Sequence, residues 1–318
     1  MIDKHLHFTG SLSPTYVYRK LQESNQAFLD KYSILSPDGL SDTFVSMFGN
    51  DYKLNQQKFN EMYSLVQSVT KPKNTNEIYQ TYRLATRELA LNLARFGISE
   101  YTIIAGSDIT IDNTYKRYIG MIHGFEDVEK LHKAAKGKIC ITFIRTQSGE
   151  LKNYSYKLLS DICKLLQQEP FKSRCVGFDI SGYEYPDKNI LESNLCVLSE
   201  IIEVSKTSGL KTTVGLHAGE IITGTTQDEL YDEYFVNLSK LQLDNIGHGT
   251  YLWSNDTRQN ILKLFSGHTR FDLCPESNVL LTPVKRIDSN RLDVLKKCGV
   301  EYTINRDDPL FFNNWRQR

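Results

Sequence analysis

Short runs rich in β-branched and aromatic residues recur along the chain, separated by longer stretches whose apolar residues fall at three- and four-residue spacing. The runs are "DKHLHF" (3–8), "YTIIAG" (101–106), "KICITFI" (138–144) and "CVGFDIS" (175–181), then "KTTVGLH" (211–217), "LDNIGHG" (243–249), "RFDLCP" (270–275) and "EYTIN" (301–305). Several are almost continuously apolar, as expected of parallel strands covered on both faces. The intervening stretches read as amphipathic helices. "NEIYQTYRLATRELALNLARFG" closes on Gly97 and "LESNLCVLSEIIEVSKTSG" on Gly209, each placed to be a C′ glycine. By the same pattern "MIHGF" reads as a loop and "EKLHKAAK" as helix.

Eight strand-like runs alternating with helices predict an α/β fold of the (β/α)8 TIM-barrel class rather than an open doubly wound sheet. No G-x-G-x-x-G follows the first run, which weakens the dinucleotide-binding variant. Residues 1–318 read as one domain, since no linker or repeat divides them. The first connection, 9–100, is far longer than one barrel helix requires. At the C-terminal face of a barrel such an excursion from β1 to the first helix builds a pocket wall or lid.

Composition narrows the partners. Lys+Arg and Asp+Glu both number 38, so formal charge is zero, which speaks against nucleic acid or an anionic membrane surface as partner. No apolar run is long enough to span a bilayer, and the chain opens without a leader-like segment. Six cysteines are scattered without a C-x-x-C pair, as in a reducing, cytoplasmic setting.

The chemistry-bearing residues collect at strand ends. His5 and His7 close the first run on one face, because i and i+2 share a side of a strand. His217 ends the fifth in "GLHAGE", with Glu220 three residues on; His248 ends the sixth; Asp307 and Asp308 follow the eighth. Four of the seven histidines thus lie where a barrel gathers catalytic groups, whereas His123, His132 and His268 lie elsewhere and read as structural. Histidines with a carboxylate suit zinc, and an open position on the ion would supply a nucleophile from water. Glu220 and Asp308 would stand beside it as acid/base groups.

This ordered set, "KHLHFTGSL", "GFDISGYE", "TTVGLHAGE", "IGHGTYL", "LCPESN" and "INRDDPLFF", resembles the adenosine deaminase family of the metal-dependent amidohydrolase superfamily. The resemblance runs through nearly the whole chain. It implies one zinc per chain, held by His5, His7, His217 and Asp307, and a hydrolytic deaminase of a 6-aminopurine nucleoside or nucleotide. By the same likeness Glu220 protonates N1 and His248 orients the attacking group. Asp308 meets N7, and Gly182 offers its backbone N–H to N3. His7 and Thr9 lie on the substrate's side of the site. A cytidine-deaminase type would need H-x-E with P-C-x-x-C, and neither occurs. A two-metal amidohydrolase would carry a lysine at the end of the fourth run, which here reads "DISGYE". The remaining alternatives are a purine-binding relative without turnover and an enzyme for another cyclic amidine.

Two departures from the family pattern bear on the substrate and on assembly. Thr9 stands where the family usually has an acidic residue that meets the ribose 5′-hydroxyl, and Tyr183 where it usually has aspartate. Loss of negative charge there, with the hydroxyls of Thr9, Ser11 and Ser13 nearby, favours a 5′-phosphorylated or otherwise 5′-modified small-molecule purine. The chain also ends ten residues after Asp308, so "LFFNNWRQR" or a second copy in a homo-oligomer is expected to cover the β8–β1 seam.

Overall fold

The structure, a computed structural model, describes residues 1–132, 136–146, 148–220, 228–284 and 289–312. Eight strands form one sheet in chain order: β1 (Ile2–His7), β2 (Glu100–Gly106), β3 (Lys136–Arg145), β4 (Cys175–Gly182), β5 (Thr213–Ala218), β6 (Asn245–His248), β7 (Arg270–Leu273) and β8 (Glu301–Ile304). Each predicted strand agrees with its observed bounds to within two residues, and pairing from β3 to β8 is parallel throughout. Alternation with helices makes this a (β/α)8 fold.

Two compact units are distinguished, Met1–Ile103 with Asp112–Lys138 and Arg306–Arg318, and Ile104–Ile111 with Ile139–Asn305. In the first unit, a 3-10 turn (Thr9–Ser11) and five helices separate β1 from β2: α1 (Pro14–Ser24), α2 (Gln26–Lys31), α3 (Pro37–Ser46), α4 (Tyr52–Thr70) and α5 (Ile78–Arg95). Their starts are written in the sequence. Ser13 and Ser36 accept backbone N–H bonds ahead of Pro14 and Pro37, and Asp51 caps α4 in the same way. α5 ends two residues before Gly97, whose φ of +71° makes it the C′ residue expected.

One expectation is corrected in this unit. "MIHGF" is not a loop but part of α6 (Ile111–Glu129), and His123 is helical. Its glycines serve packing: a Cβ on Gly120 would come 2.5 Å from the Tyr79 carbonyl oxygen, and one on Gly124 would come 2.6 Å from that of Arg83. The helix then stops at Glu129, so His132 lies beyond it rather than inside a helical "EKLHKAAK", part of which falls outside the described residues.

The C-terminal segment belongs to the same core. Leu310 and Phe311 are fully buried and Phe312 nearly so. Phe311 packs against Phe44 of α3 (5.3 Å between centroids) and Phe59 of α4 (5.4 Å, edge-on), while Phe312 stacks on Phe59. Residues 310–312 are therefore covered by the long first connection; residues 313–318 lie outside the described set. Truncating so enclosed a ring leaves a cavity, so Phe311→Ala is expected to destabilise the fold by about 3–5 kcal/mol. Equilibrium urea unfolding measures it, and a loss below about 1 kcal/mol would mean the segment is not core.

The second unit carries α7 (Tyr156–Leu166), α8 (Phe171–Arg174), α9 (Lys188–Thr207), α10 (Asp228–Lys240), α11 (Thr250–Trp253), α12 (Gln259–Lys263), α13 (Pro275–Leu281) and α14 (Ser289–Lys297). α9 ends just before Gly209 at φ +67°, as expected from the sequence. Leu159, Ile162, Leu198, Ile201 and Phe235 turn from α7, α9 and α10 into a core with Phe143, Phe178 and Leu216. Among the described residues no helix is long and apolar enough to cross a membrane.

Candidate active site

In the first unit, β1 delivers His5, buried, and His7, half-buried, with ring centroids 5.3 Å apart. The chain after β8 returns beside them. The His7 N–H donates to the Asp307 carbonyl and the Asp307 N–H to that of His5, both at 3.1 Å, which pins Asp307 opposite the histidine pair. Asp307 holds φ at +62°, an uncommon backbone state for a residue other than glycine and a cost tolerated where side-chain direction matters. Its Oδ1 lies 3.6 Å from Nε2 of His5 and 3.2 Å from Nε2 of His7. Neighbouring ligands on a tetrahedral zinc with bonds near 2.1 Å stand about 3.4 Å apart, so this donor set fits such an ion. Donor atoms of His7, Asp307 and Asp308 also lie within 4.8 Å of one another.

Behind this set sits Asp3, which accepts the His5 N–H (3.3 Å) and pairs with Arg306 (3.3 Å). Burial pushes its carboxyl up to about 6, against the opposing effects of the His5 N–H and Arg306. Asp308 is packed directly over Gly10, where any Cβ would collide with its carboxylate. Of the three hydroxyls noted in the sequence, Ser11 donates to the Asp307 carbonyl (3.4 Å) and Ser13 caps α1. Both are engaged with backbone. Thr9 is buried. Burial and then the Asp308 carboxylate push the Tyr63 phenol above its ordinary range, with the Thr9 side chain opposing through a hydrogen bond. Tyr63, on α4, thus belongs to the surroundings of Asp308 and Thr9, and nothing local in its sequence signals this.

The second unit supplies the other groups. His217 Nδ1 pairs with the Asp179 carboxylate at 3.0–3.2 Å, and Thr142 donates to Asp179 at 3.1 Å. A carboxylate on Nδ1 fixes the tautomer that leaves the Nε2 lone pair available to a metal. His248, also at a positive φ (+62°), has its Nε2 3.2 Å from Oε1 of Glu220. Its Nδ1 lies 2.9 Å from the Asn278 amide nitrogen, whose orientation is set because Asn278 Oδ1 accepts the Cys274 N–H. An amide donor on Nδ1 makes that atom the acceptor, so Nε2 bears the proton and points it toward Glu220. The Trp253 indole N–H holds the His248 carbonyl at 2.7 Å. Gly182 ends β4 at φ +91°, with Arg145 so close that a Cβ would meet its carbonyl oxygen at 2.7 Å. Tyr183 is exposed beside Tyr185.

Each unit therefore brings its own share of the sequence-derived residues together. Asp179, Asn278, Arg145 and Glu184 were missed as functional. "LCPESN" and "GYE" stand out as strings, but the residues these four act on lie 30 to 72 positions away.

The profile of the adenosine deaminase family matches residues 1–315. An adenosine deaminase from Plasmodium gallinaceum is 28% identical over 294 residues, covering 89% of this chain and 71% of that enzyme. Against four further Plasmodium adenosine deaminases the chain spans 42–49% of their length. Among solved structures, an Arabidopsis N6-mAMP deaminase superposes with a TM-score of 0.66 at 14% identity, covering 98% of this chain and 83% of that one. A Burkholderia ambifaria amidohydrolase with bound Zn gives 0.62 at 12% identity, covering 98% and 76%. At these identities the two structures attest the fold.

Proposed function

Because the chain belongs to the adenosine deaminase family, we propose that it is a zinc-dependent hydrolase that converts a 6-aminopurine nucleoside or nucleotide and water into the 6-oxopurine and ammonia. The observation that carries this reading is the Glu220–His248 pair. A carboxyl group lies 3.2 Å from an imidazole nitrogen whose proton is assigned by the Asn278 amide. An aromatic amine leaves only if the ring is protonated while a nucleophile adds at the adjacent carbon. Glu220 is the group to give N1 its proton. His248, as a neutral donor, orients the incoming oxygen and stabilises charge growing on it. Asp308, whose carboxyl fills the space left by the missing Cβ of Gly10, donates to N7 in its protonated form, and the Gly182 N–H meets N3.

One zinc per chain is proposed, on His5, His7, His217 and Asp307; when bound it lowers the pKa of water and so supplies the nucleophile. The Nε2 atoms facing Asp307 and the Asp179-fixed tautomer of His217 support this set. Six free thiols support a reducing, cytoplasmic location. A purine-binding relative without turnover is disfavoured, because such a protein has no use for an acid and an oriented imidazole at bonding distance.

At the sugar end, the neutral Thr9 favours a 5′-substituted substrate. Initial rates of 6-oxopurine formation on adenine, adenosine, a 5′-thioether adenosine, and adenosine monophosphate with and without an N6-methyl group (the last releasing methylamine in place of ammonia) test both parts of the reading. A 5′-substituted compound is expected to lead, and Thr9→Asp to shift preference toward free adenosine by about tenfold through repulsion or a new acceptor. If adenosine exceeds every 5′-substituted compound by about a hundredfold, the Thr9 argument fails. If none of the five yields its 6-oxopurine, the deaminase reading fails.

A further inference from the structure

A buried pair of opposite charges stands behind the Gly182 and Glu220 turns, and none of the roles above uses it. Arg145, the last residue of β3, is 2% exposed. Its Nη2 donates to the carbonyls of both Gly182 (3.1 Å) and His217 (2.7 Å). Its backbone is also in register with Gly182, so one residue grips that turn twice. Glu184, likewise 2% exposed, accepts the Gly219 N–H on Oε2 at 2.8 Å.

We propose that Arg145 and Glu184 are positioning residues, a charged clamp that sets the Gly182 turn against the His217–Glu220 turn so that N3 and N1 of one purine ring are met together. The inference rests on the deaminase reading for its substrate, and on this unit's own contacts for its geometry. What the clamp holds is specific: the carbonyl of the residue offering N–H to N3, the carbonyl of a zinc ligand, and the N–H immediately before the acid. The guanidinium is a costly choice for mere packing. Among the described residues, Arg145 Nε and Nη1 meet no hydrogen-bond partner, nor do the buried hydroxyls of Tyr231 and Tyr234 on α10. Glu184 and Arg145 act with opposite sign on both phenols, and burial keeps those phenols neutral. Burying an ionic group costs solvation that an apolar residue of equal size would not lose. The Arg145 Nη2, however, directs two N–H bonds in the fixed plane of the guanidinium at two carbonyls, whereas a freely rotating lysine ammonium does not set that angle.

The test compares Arg145→Lys, Glu184→Ala and Glu184→Gln with the unaltered protein. Zinc content, melting temperature, kcat, KM and amide exchange at residues 217–220 are the readouts, with exchange also measured on metal-stripped protein. For Arg145→Lys and Glu184→Ala, kcat is expected to fall by about tenfold or more with smaller changes in KM and zinc content. Glu184→Gln, which keeps an acceptor for the Gly219 N–H, retains several-fold more activity than Glu184→Ala. Exchange at Gly219 accelerates by about tenfold in Glu184→Ala, while α7 and α9 are unchanged. The clamp is overturned if both kcat values stay within about threefold of the parent, or if losses follow zinc or melting temperature alone. It is equally overturned if Gly219 exchange is unaltered. Should the parent protein turn over no 6-aminopurine, the deaminase reading falls, and local exchange still decides whether the clamp exists.

Discussion

Glu220→Gln is expected to leave the protein folded and metal-loaded and to lower turnover by about 10²–10⁴-fold. Glutamine matches glutamate in size and keeps an oxygen that can accept from His248 Nε2, now 3.2 Å from the carboxylate. What it loses is an exchangeable proton of suitable acidity. A carboxylic acid can protonate a ring nitrogen and take the proton back, whereas an amide N–H can only donate a hydrogen bond. The loss should therefore sit in kcat, with KM little changed, because the interaction removed belongs to the transition state. Steady-state rates together with zinc analysis separate this from a structural failure. A variant that retained more than about a tenth of parental activity would show that N1 receives its proton from another group.

The division between what the sequence revealed and what it hid follows the range of the interactions. Strand ends and the glycines at 97 and 209 are local, since each depends on a few neighbouring residues, and all are found within two residues of their expected places. The histidines could be read for the same reason: period-two alternation puts His5 and His7 on one face without knowledge of any partner. The loop reading of "MIHGF" failed because a glycine in an apolar run has two meanings. Here it admits a neighbouring backbone rather than breaking a helix, and only the position of α5 distinguishes them. Asp179, Asn278, Arg145 and Glu184 were invisible for a stronger reason. Each acts on a residue 30 to 72 positions away, and a single sequence holds no signal linking them. The positive φ of His248 and Asp307 belongs to the same class, since neither residue type announces a left-handed backbone.

That conformation makes Asp307 the best place to test the metal. Asn is among the few residues that accept φ near +60° without the full steric cost, so Asp307→Asn preserves the backbone that bonds to His5 and His7. It removes only the negative charge and one strong oxygen donor. Purified without added metal, the parent is expected to hold about one equivalent of zinc, and Asp307→Asn less than about a tenth of one after dialysis. His217→Ala should behave alike, although its partner Asp179 then loses its imidazole and stability suffers more. Because the ion binds only the folded chain, zinc should raise the parent's melting temperature and leave that of Asp307→Asn almost unmoved. Activity would fall by at least about a hundredfold in both variants, as expected when a ligand rather than its support is removed. An Asp307→Asn protein that keeps a full equivalent through dialysis would remove Asp307 from the ligand set. A parent that binds no zinc and gains no thermal stability from it would remove the metal altogether.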